Sequence, residues 1–253
     1  MSGATAFYGL RAYNAAYATG SNPAITIRRT SDSTTSNINI LATGALDVAT
    51  ATTFCAATTC FVVTIFDQAG THNLTQATTS AQPALTLGCL GALPCLTFAS
   101  ASSQFLSGAF ITIAQPNTYS FVAERTGAAV RGSVLGANNA VQAGFDALAS
   151  NAFLFASSVQ TSAATDNALH AIQAVFNNNS STLNVDGVLS STLPAGASSI
   201  ATPLDIGAHG GGVGNFLNGL FAEAIVYSSG LSSGNQTTLC HNQRLYWGSG
   251  GSC

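Results

Sequence analysis

The stretch Cys60-Phe61-Val62-Val63-Thr64-Ile65-Phe66, followed at once by Asp67-Gln68-Ala69-Gly70, decides how this chain is read. β-Branched and aromatic side chains suit a pleated, buried backbone, and Asp-Gln-Ala-Gly is turn chemistry, in which an aspartate carboxylate bonds nearby amides. A short apolar run closed by such a turn is a sheet strand. Upstream, Ala24-Ile25-Thr26-Ile27-Arg28 alternates as a half-buried strand does. Downstream come Cys95–Phe98, Thr118–Glu124, Gly132–Leu135, Ala143–Leu148, Ala152–Ala156, Ala168–Phe176, Ser181–Val185, Asp205–Ile206 and Leu220–Tyr227. Gly, Asn, Ser and Pro punctuate them every 8–12 residues or so, the rhythm of an all-β sandwich or barrel. Two helices are expected. One covers about Ala45–Phe54, with Asp47 near its positive end; the other covers about Ser233–Tyr246, capped by Ser232 or Ser233 and stopped at Trp247-Gly248. No stretch reads as a linker, so one all-β domain over residues 1–253 is expected.

Composition narrows the partners. Of the 253 residues 47% are hydrophobic but only 6% are charged, against about 25% charged in a typical domain. All six cations are arginines (Arg11, Arg28, Arg29, Arg125, Arg131, Arg244), and the net charge is −3. No basic stripe exists for nucleic acid, and no polybasic segment for anionic lipid. The mean hydropathy of +0.33 argues against disorder. Apolar runs such as Phe61–Phe66 and Phe221–Tyr227 are far shorter than the roughly 20 residues that span a bilayer. The surface is left to Ser, Thr, Asn, Gln, Ala and Gly, as on secreted and particle-surface proteins.

Six cysteines pair by proximity as Cys55 with Cys60, Cys89 with Cys95, and Cys240 with Cys253. Short loops suit local disulfides, although six cysteines allow fifteen connectivities. Buried free thiols and a metal site are the other readings, the latter wanting two-residue spacings and histidine. Met1-Ser2-Gly3-Ala4-Thr5 shows no charged and apolar leader. Oxidised cysteines without such a leader create the expectation of an extracellular or virion-surface chain.

Two groups of segments carry a family resemblance. Ile27-Arg28-Arg29-Thr30-Ser31-Asp32, Ala45-Leu46-Asp47, Phe54-Cys55-Ala56-Ala57-Thr58-Thr59-Cys60, Thr64 through Gly70 and Asn73-Leu74-Thr75-Gln76 closely resemble the N-terminal half of the α-L-arabinofuranosidase B catalytic domain. The likeness includes that family's short disulfide loop and its Y-D-Q-S-G turn. Leu183-Asn184-Val185-Asp186-Gly187, Phe216-Leu217-Asn218-Gly219 and Ala222 through Tyr227, with the closing helix, are similar to the end of laminin-G-like and concanavalin A-like jelly rolls. The resemblance implies a two-sheet antiparallel jelly-roll sandwich.

It also implies where chemistry would sit. The family's acid/base aspartate lies in a G-I-G-G-D segment, and Ile206-Gly207-Ala208-His209-Gly210 sets His209 at that position. The family nucleophile is a glutamate in a mid-chain strand; Gly144-Phe145-Asp146-Ala147-Leu148 offers Asp146, one methylene shorter. The family's adjacent cysteine pair is absent. A retaining glycosidase needs two carboxylates about 5–5.5 Å apart, so these departures argue against catalysis. Sugar contact is expected from Asp146, His209, Gly210, Gly211 and Asn215.

Other carboxylates have structural readings: Asp67 in its turn, Asp186-Gly187 in a hairpin, Glu223 against an arginine, and Asp32 beside Arg28 and Arg29. Gly210–Gly214 reads as a flexible loop without a phosphate cradle, and His72, His170 and His241 lack ligand spacing. No cofactor is expected. Calcium is the ion jelly-roll lectins hold through Asp and Asn oxygens, and the acidic residues here are scattered. The first functional expectation is therefore a non-catalytic particle-surface module, such as a phage decoration, fibre or tail protein. It would touch host polysaccharide and assemble with other virion or surface proteins and with copies of itself. The alternatives are a retaining glycosidase of the α-L-arabinofuranosidase type and a secreted lectin with its site near Asp146, His209 and the glycine loop.

Overall fold

The computed structural model describes residues 3–127, 130–138, 140–147, 151–164, 167–251 and 253. Leu148, the expected end of one strand, and Asp166 lie outside them. The strands, numbered along the chain, form a β-sandwich of two antiparallel layers. The first layer contains β1 (Ala6–Gly9), β6 (Ala84–Leu90), β7 (Leu93–Phe98), β9 (Asn117–Arg125), β14 (Leu169–Phe176), β15 (Thr182–Val185), β16 (Val188–Leu189) and β18 (Gly219–Tyr227). The second contains β2 (Pro23–Arg29), β3 (Thr35–Asn39), β4 (Cys60–Ile65), β5 (Leu74–Thr75), β8 (Leu106–Gly108), β10 (Gly132–Ala137), β11 (Val141–Phe145), β12 (Asn151–Phe155), β13 (Val159–Ala164) and β17 (Leu204–Ile206).

Pairing in the first layer runs β16-β15-β14-β9-β18, and β18 is flanked beyond by β7 at its start and β1 at its end. The second runs β13-β12-β11-β10-β17-β8-β5-β4-β2-β3. Strand alternation builds the core: Val141, Ala143 and Phe145 of β11 face inward with Leu135, Leu154, Phe121 and Phe176, while Gln142 and Gly144 face out.

The turn after β4 does more than reverse the chain. Asp67 Oδ1 accepts from the amides of Phe7, Ala69 and Gly70 at 3.0, 3.1 and 3.0 Å, and Oδ2 accepts from the His72 amide at 3.1 Å. Gln68 accepts from the Tyr13 amide and donates to the carbonyls of Gly9 and Arg11. This turn therefore staples β1 and the segment after it. Asp32 pairs with Arg29 at 2.5 Å. Asp186 and Gly187, at φ +52° and +90°, make the β15–β16 hairpin, and Asp186 also holds His170 Nδ1 at 2.5 Å.

The first helix is shorter than the sequence suggests. α1 spans Val48–Phe54, because Asp47 stands outside it as N-cap, accepting from the Thr50 amide at 3.0 Å. Ala45 and Leu46 instead bridge to Arg11 and Ile40. α2 spans Ser233–Trp247, with Ser232 as N-cap and Gly248 closing it at φ +73°. It covers the outer face of the first layer, where Leu239 meets Phe7, Ile225 and Tyr227. Beneath it, fully buried Glu223 takes Arg11 Nε at 2.5 Å, Arg11 Nη2 at 2.9 Å and Trp247 Nε1 at 2.7 Å. All six cysteines are oxidised in the three local pairs, with Cα–Cα separations of 5.8, 6.0 and 5.7 Å in chain order.

Candidate functional site

The second layer turns a different outer face to its loops. Register places Ser107, Asp205, Gly136, Gln142 and Phe155 side by side across five strands. Further along β11 on the same face come Gly144 and then Asp146.

The glycine run covers one end of this face. Gly210, Gly211 and Gly212 sit at φ +64°, +77° and +81°, and Val213 donates to the His209 carbonyl at 2.9 Å. Residues with a Cβ resist such a run of left-handed backbone. At Gly136 a Cβ would fall 2.4 Å from the Ala208 carbonyl oxygen, so this position lets the loop rest on the sheet. Beneath the loop, Asp205 has no exposed surface; its Oδ2 accepts from the Gly211 amide at 2.7 Å, while Oδ1 has no hydrogen-bond partner. Burial pushes its carboxyl above the ordinary value, against the bonds from Ser107, Gly211 and Gly212 that favour the charged form. Burial also pushes His209 down, which favours neutral imidazole.

The raised Asp205 carboxyl has a signed consequence. Its contribution to stability is fully present below the ordinary carboxylate range and is lost as pH rises through the folded-state value. Asp205→Asn is expected to flatten the dependence of melting temperature on pH across that interval. Parallel wild-type and variant curves would overturn this assignment.

At the other end lies an open cavity of about 310 Å³ lined by Ser100, Ala101, Val130, Arg131, Asn215 and Phe216. Asn215 and Ser133 both donate to Gln142 Oε1, at 2.8 and 2.9 Å, which fixes the amide between loop and sheet. Arg131 lies over the Phe153 ring at 5.2 Å and sends Nε and Nη2 to Asp146 Oδ1 at 3.0 and 2.8 Å. Arg125 donates to the Asp146 carbonyl at 2.7 Å.

The structure thus sets Asn215 in the cleft, Gly210 and Gly211 over Asp205, and Asp146 behind Arg131. His209 stands above Gly136, level with Gln142; Asp146 is four residues further along, about 13 Å of strand. The two backbone positions matched through the resemblance therefore sit at opposite ends of the face. Arg125, Arg131, Ser133, Gln142, Asp205 and Phe216 went unread as site residues. Asp205 carried a signal, an aspartate between Leu204 and Ile206; the arginines carried none, since only the fold brings them to Asp146. Among the described residues no three His, Cys, Asp or Glu side chains gather as metal ligands.

Comparison with solved structures defines the fold. The fold is that of the GH54 arabinofuranosidase catalytic domain. A mutant GH54 α-L-arabinofuranosidase soaked with 4-nitrophenyl α-L-arabinofuranoside superposes with a TM-score of 0.73 at 16% identity, covering 94% of this chain and 62% of that one. An arabinofuranosidase complexed with arabinofuranosyl-α-1,2-xylobiose gives 0.70 at 17% identity, with the same coverage. This chain therefore spans 62% of the length of those proteins. The ligand-binding domain of botulinum neurotoxin serotype D, in complex with N-acetylneuraminic acid, gives 0.52 at 11% identity over 73% of this chain and 51% of that one.

Sequence adds a likeness over part of the chain: residues 3–92 match the model for the α-L-arabinofuranosidase B catalytic domain. No curated protein matches the chain. These likenesses favour the glycosidase expectation over the particle-surface one, and none of them is to a virion component.

Proposed function

We propose that this protein is a carbohydrate-active protein of the α-L-arabinofuranosidase type, acting outside the cytoplasm and taking a sugar in the cleft beside Arg131, Asn215 and Phe216. The observation that supports it most is the family match over residues 3–92 together with a GH54-like fold over 94% of the chain. Three disulfides suit an oxidising compartment. The cleft has what a sugar site uses: an aromatic ring, an apolar rim at Val130, and amide and guanidinium donors fixed from behind. If the chain hydrolyses a glycoside, Asp146 is the carboxylate bonded to a residue that lines the cleft, Arg131.

A second reading, binding without cleavage, is favoured by the ion pair that already engages Asp146 with Arg131. Incubation with 4-nitrophenyl α-L-arabinofuranoside separates the two. Release of 4-nitrophenol, lowered at least about a hundredfold by Asp146→Asn, is the expected result for hydrolysis. Saturable sugar binding without release, weakened by Asn215→Ala, would establish the second reading. Absence of both would overturn the proposal.

A further inference from the structure

We propose that Gln142 is the positioning residue of the cleft: it holds the Asn215 amide in one orientation, so that Asn215 meets two neighbouring hydroxyls of a neutral sugar. Oδ1 accepts from one hydroxyl, and the Nδ2 hydrogen not given to Gln142 goes to the other. The inference rests on the cleft being a sugar site. Gln142 stands between Gly136 and Phe155 in the row across the sheet and is only 6% exposed. A buried amide at such a place needs partners. The two on its Oε1, Ser133 Oγ at 2.9 Å and Asn215 Nδ2 at 2.8 Å, are both donors. The orientation of the Asn215 amide follows: Nδ2 faces Gln142, and Oδ1 takes the other branch of the amide.

The backbone of Asn215 is settled without Gln142. Its carbonyl accepts from the Ser133 amide at 2.8 Å, and two residues on the Leu217 amide donates to the Gly207 carbonyl at 2.9 Å. A Cβ at Gly132 would fall 3.1 Å from Leu217 Cα, so the lack of one lets this segment lie close along β10. Asn215 itself has φ +49°, a left-handed backbone that asparagine tolerates better than most residues. What these contacts leave open is the rotation of the side chain, and the bond to Gln142 closes it. Asn215 lines the cleft and is half-buried, so its amide edge reaches a ligand there. An amide held this way offers one acceptor and one donor side by side. Neighbouring ring hydroxyls, each able to donate or accept, match that pair, and neither partner carries a charge.

Isothermal titration of the whole chain with arabinotriose tests this. Asn215→Ala is expected to weaken binding at least about tenfold, because both sugar contacts go. Gln142→Met keeps the length of the side chain and removes the acceptor; freeing one amide side chain should weaken binding about fivefold. In the Asn215→Ala background Gln142→Met should cost nothing further, a non-additivity that a purely structural role would not produce. Ser133→Ala removes one of the two bonds to Oε1 and keeps the backbone bond to Asn215. It should weaken binding about threefold, and it serves if Gln142→Met fails to fold. A thermal melt of each variant establishes folding. Wild-type affinity in folded Gln142→Met, or in Ser133→Ala where the first does not fold, would overturn the inference while leaving the cleft a sugar site. A loss through Gln142→Met that persists in the Asn215→Ala background would overturn it too. Absence of arabinotriose binding by the wild type would overturn both.

Discussion

Replacing Asp67 by alanine is expected to lower the melting temperature by about 10 °C. One carboxylate there serves four backbone amides, those of Phe7, Ala69, Gly70 and His72, and the Phe7 bond is buried and spans 60 residues of sequence. Each orphaned buried amide costs about 1–3 kcal/mol; with partial access of water to the turn, the whole loss comes to about 4 kcal/mol. Asp67→Asn keeps one acceptor oxygen in place and should recover more than half of it. Scanning calorimetry of the two variants decides the matter. An alanine variant within about 2 °C of wild type would show that the turn is held by its neighbours rather than by this side chain.

The second large effect belongs to Glu223→Ala. The carboxylate is fully buried under α2 and takes two bonds from Arg11 and one from the Trp247 indole. Its removal strands a cation that is 5% exposed and leaves the indole N–H without its acceptor. Breaking one side of such a pair costs about 3–5 kcal/mol, mostly the penalty of the uncompensated charge. Arg11 also donates to Asn242 and stacks at 4.7 Å on Tyr246, so the loss should loosen the last two turns of α2 first. Hydrogen exchange at Asn242 to Trp247 should rise in the variant before exchange in β9 or β14 does. Unchanged exchange there, with a lowered global stability, would place the effect in the sheet instead.

Much of this fold is legible because local chemistry and tertiary role agree. The β-branched run into Asp67 is a strand and a turn in sequence and in space, and α2 announces both its Ser232 cap and its Gly248 stop. The disulfides close short loops, so proximity along the chain names the partners. Elements went unread where such signals are absent. β3 is a polar edge strand, Thr-Ser-Asn-Ile-Asn, whose pairing comes from β2 rather than from its own residues. β1 is four residues long and is fixed by Asp67, far away in sequence. The site is harder still. Arg125 ends β9 of the first layer and Arg131 stands just before β10 of the second, and both reach Asp146 only after the layers have met. Gly210–Gly214 looks like slack chain until Gly136 opposite is seen to lack the Cβ that would push it away.

The helix that seals the first layer also anchors the chain that follows it. Cys253 is bonded to Cys240 within α2, so the segment after Gly248 is tied back to the helix it leaves. Reduction of that bond would free the segment from the helix while leaving the other two loops closed.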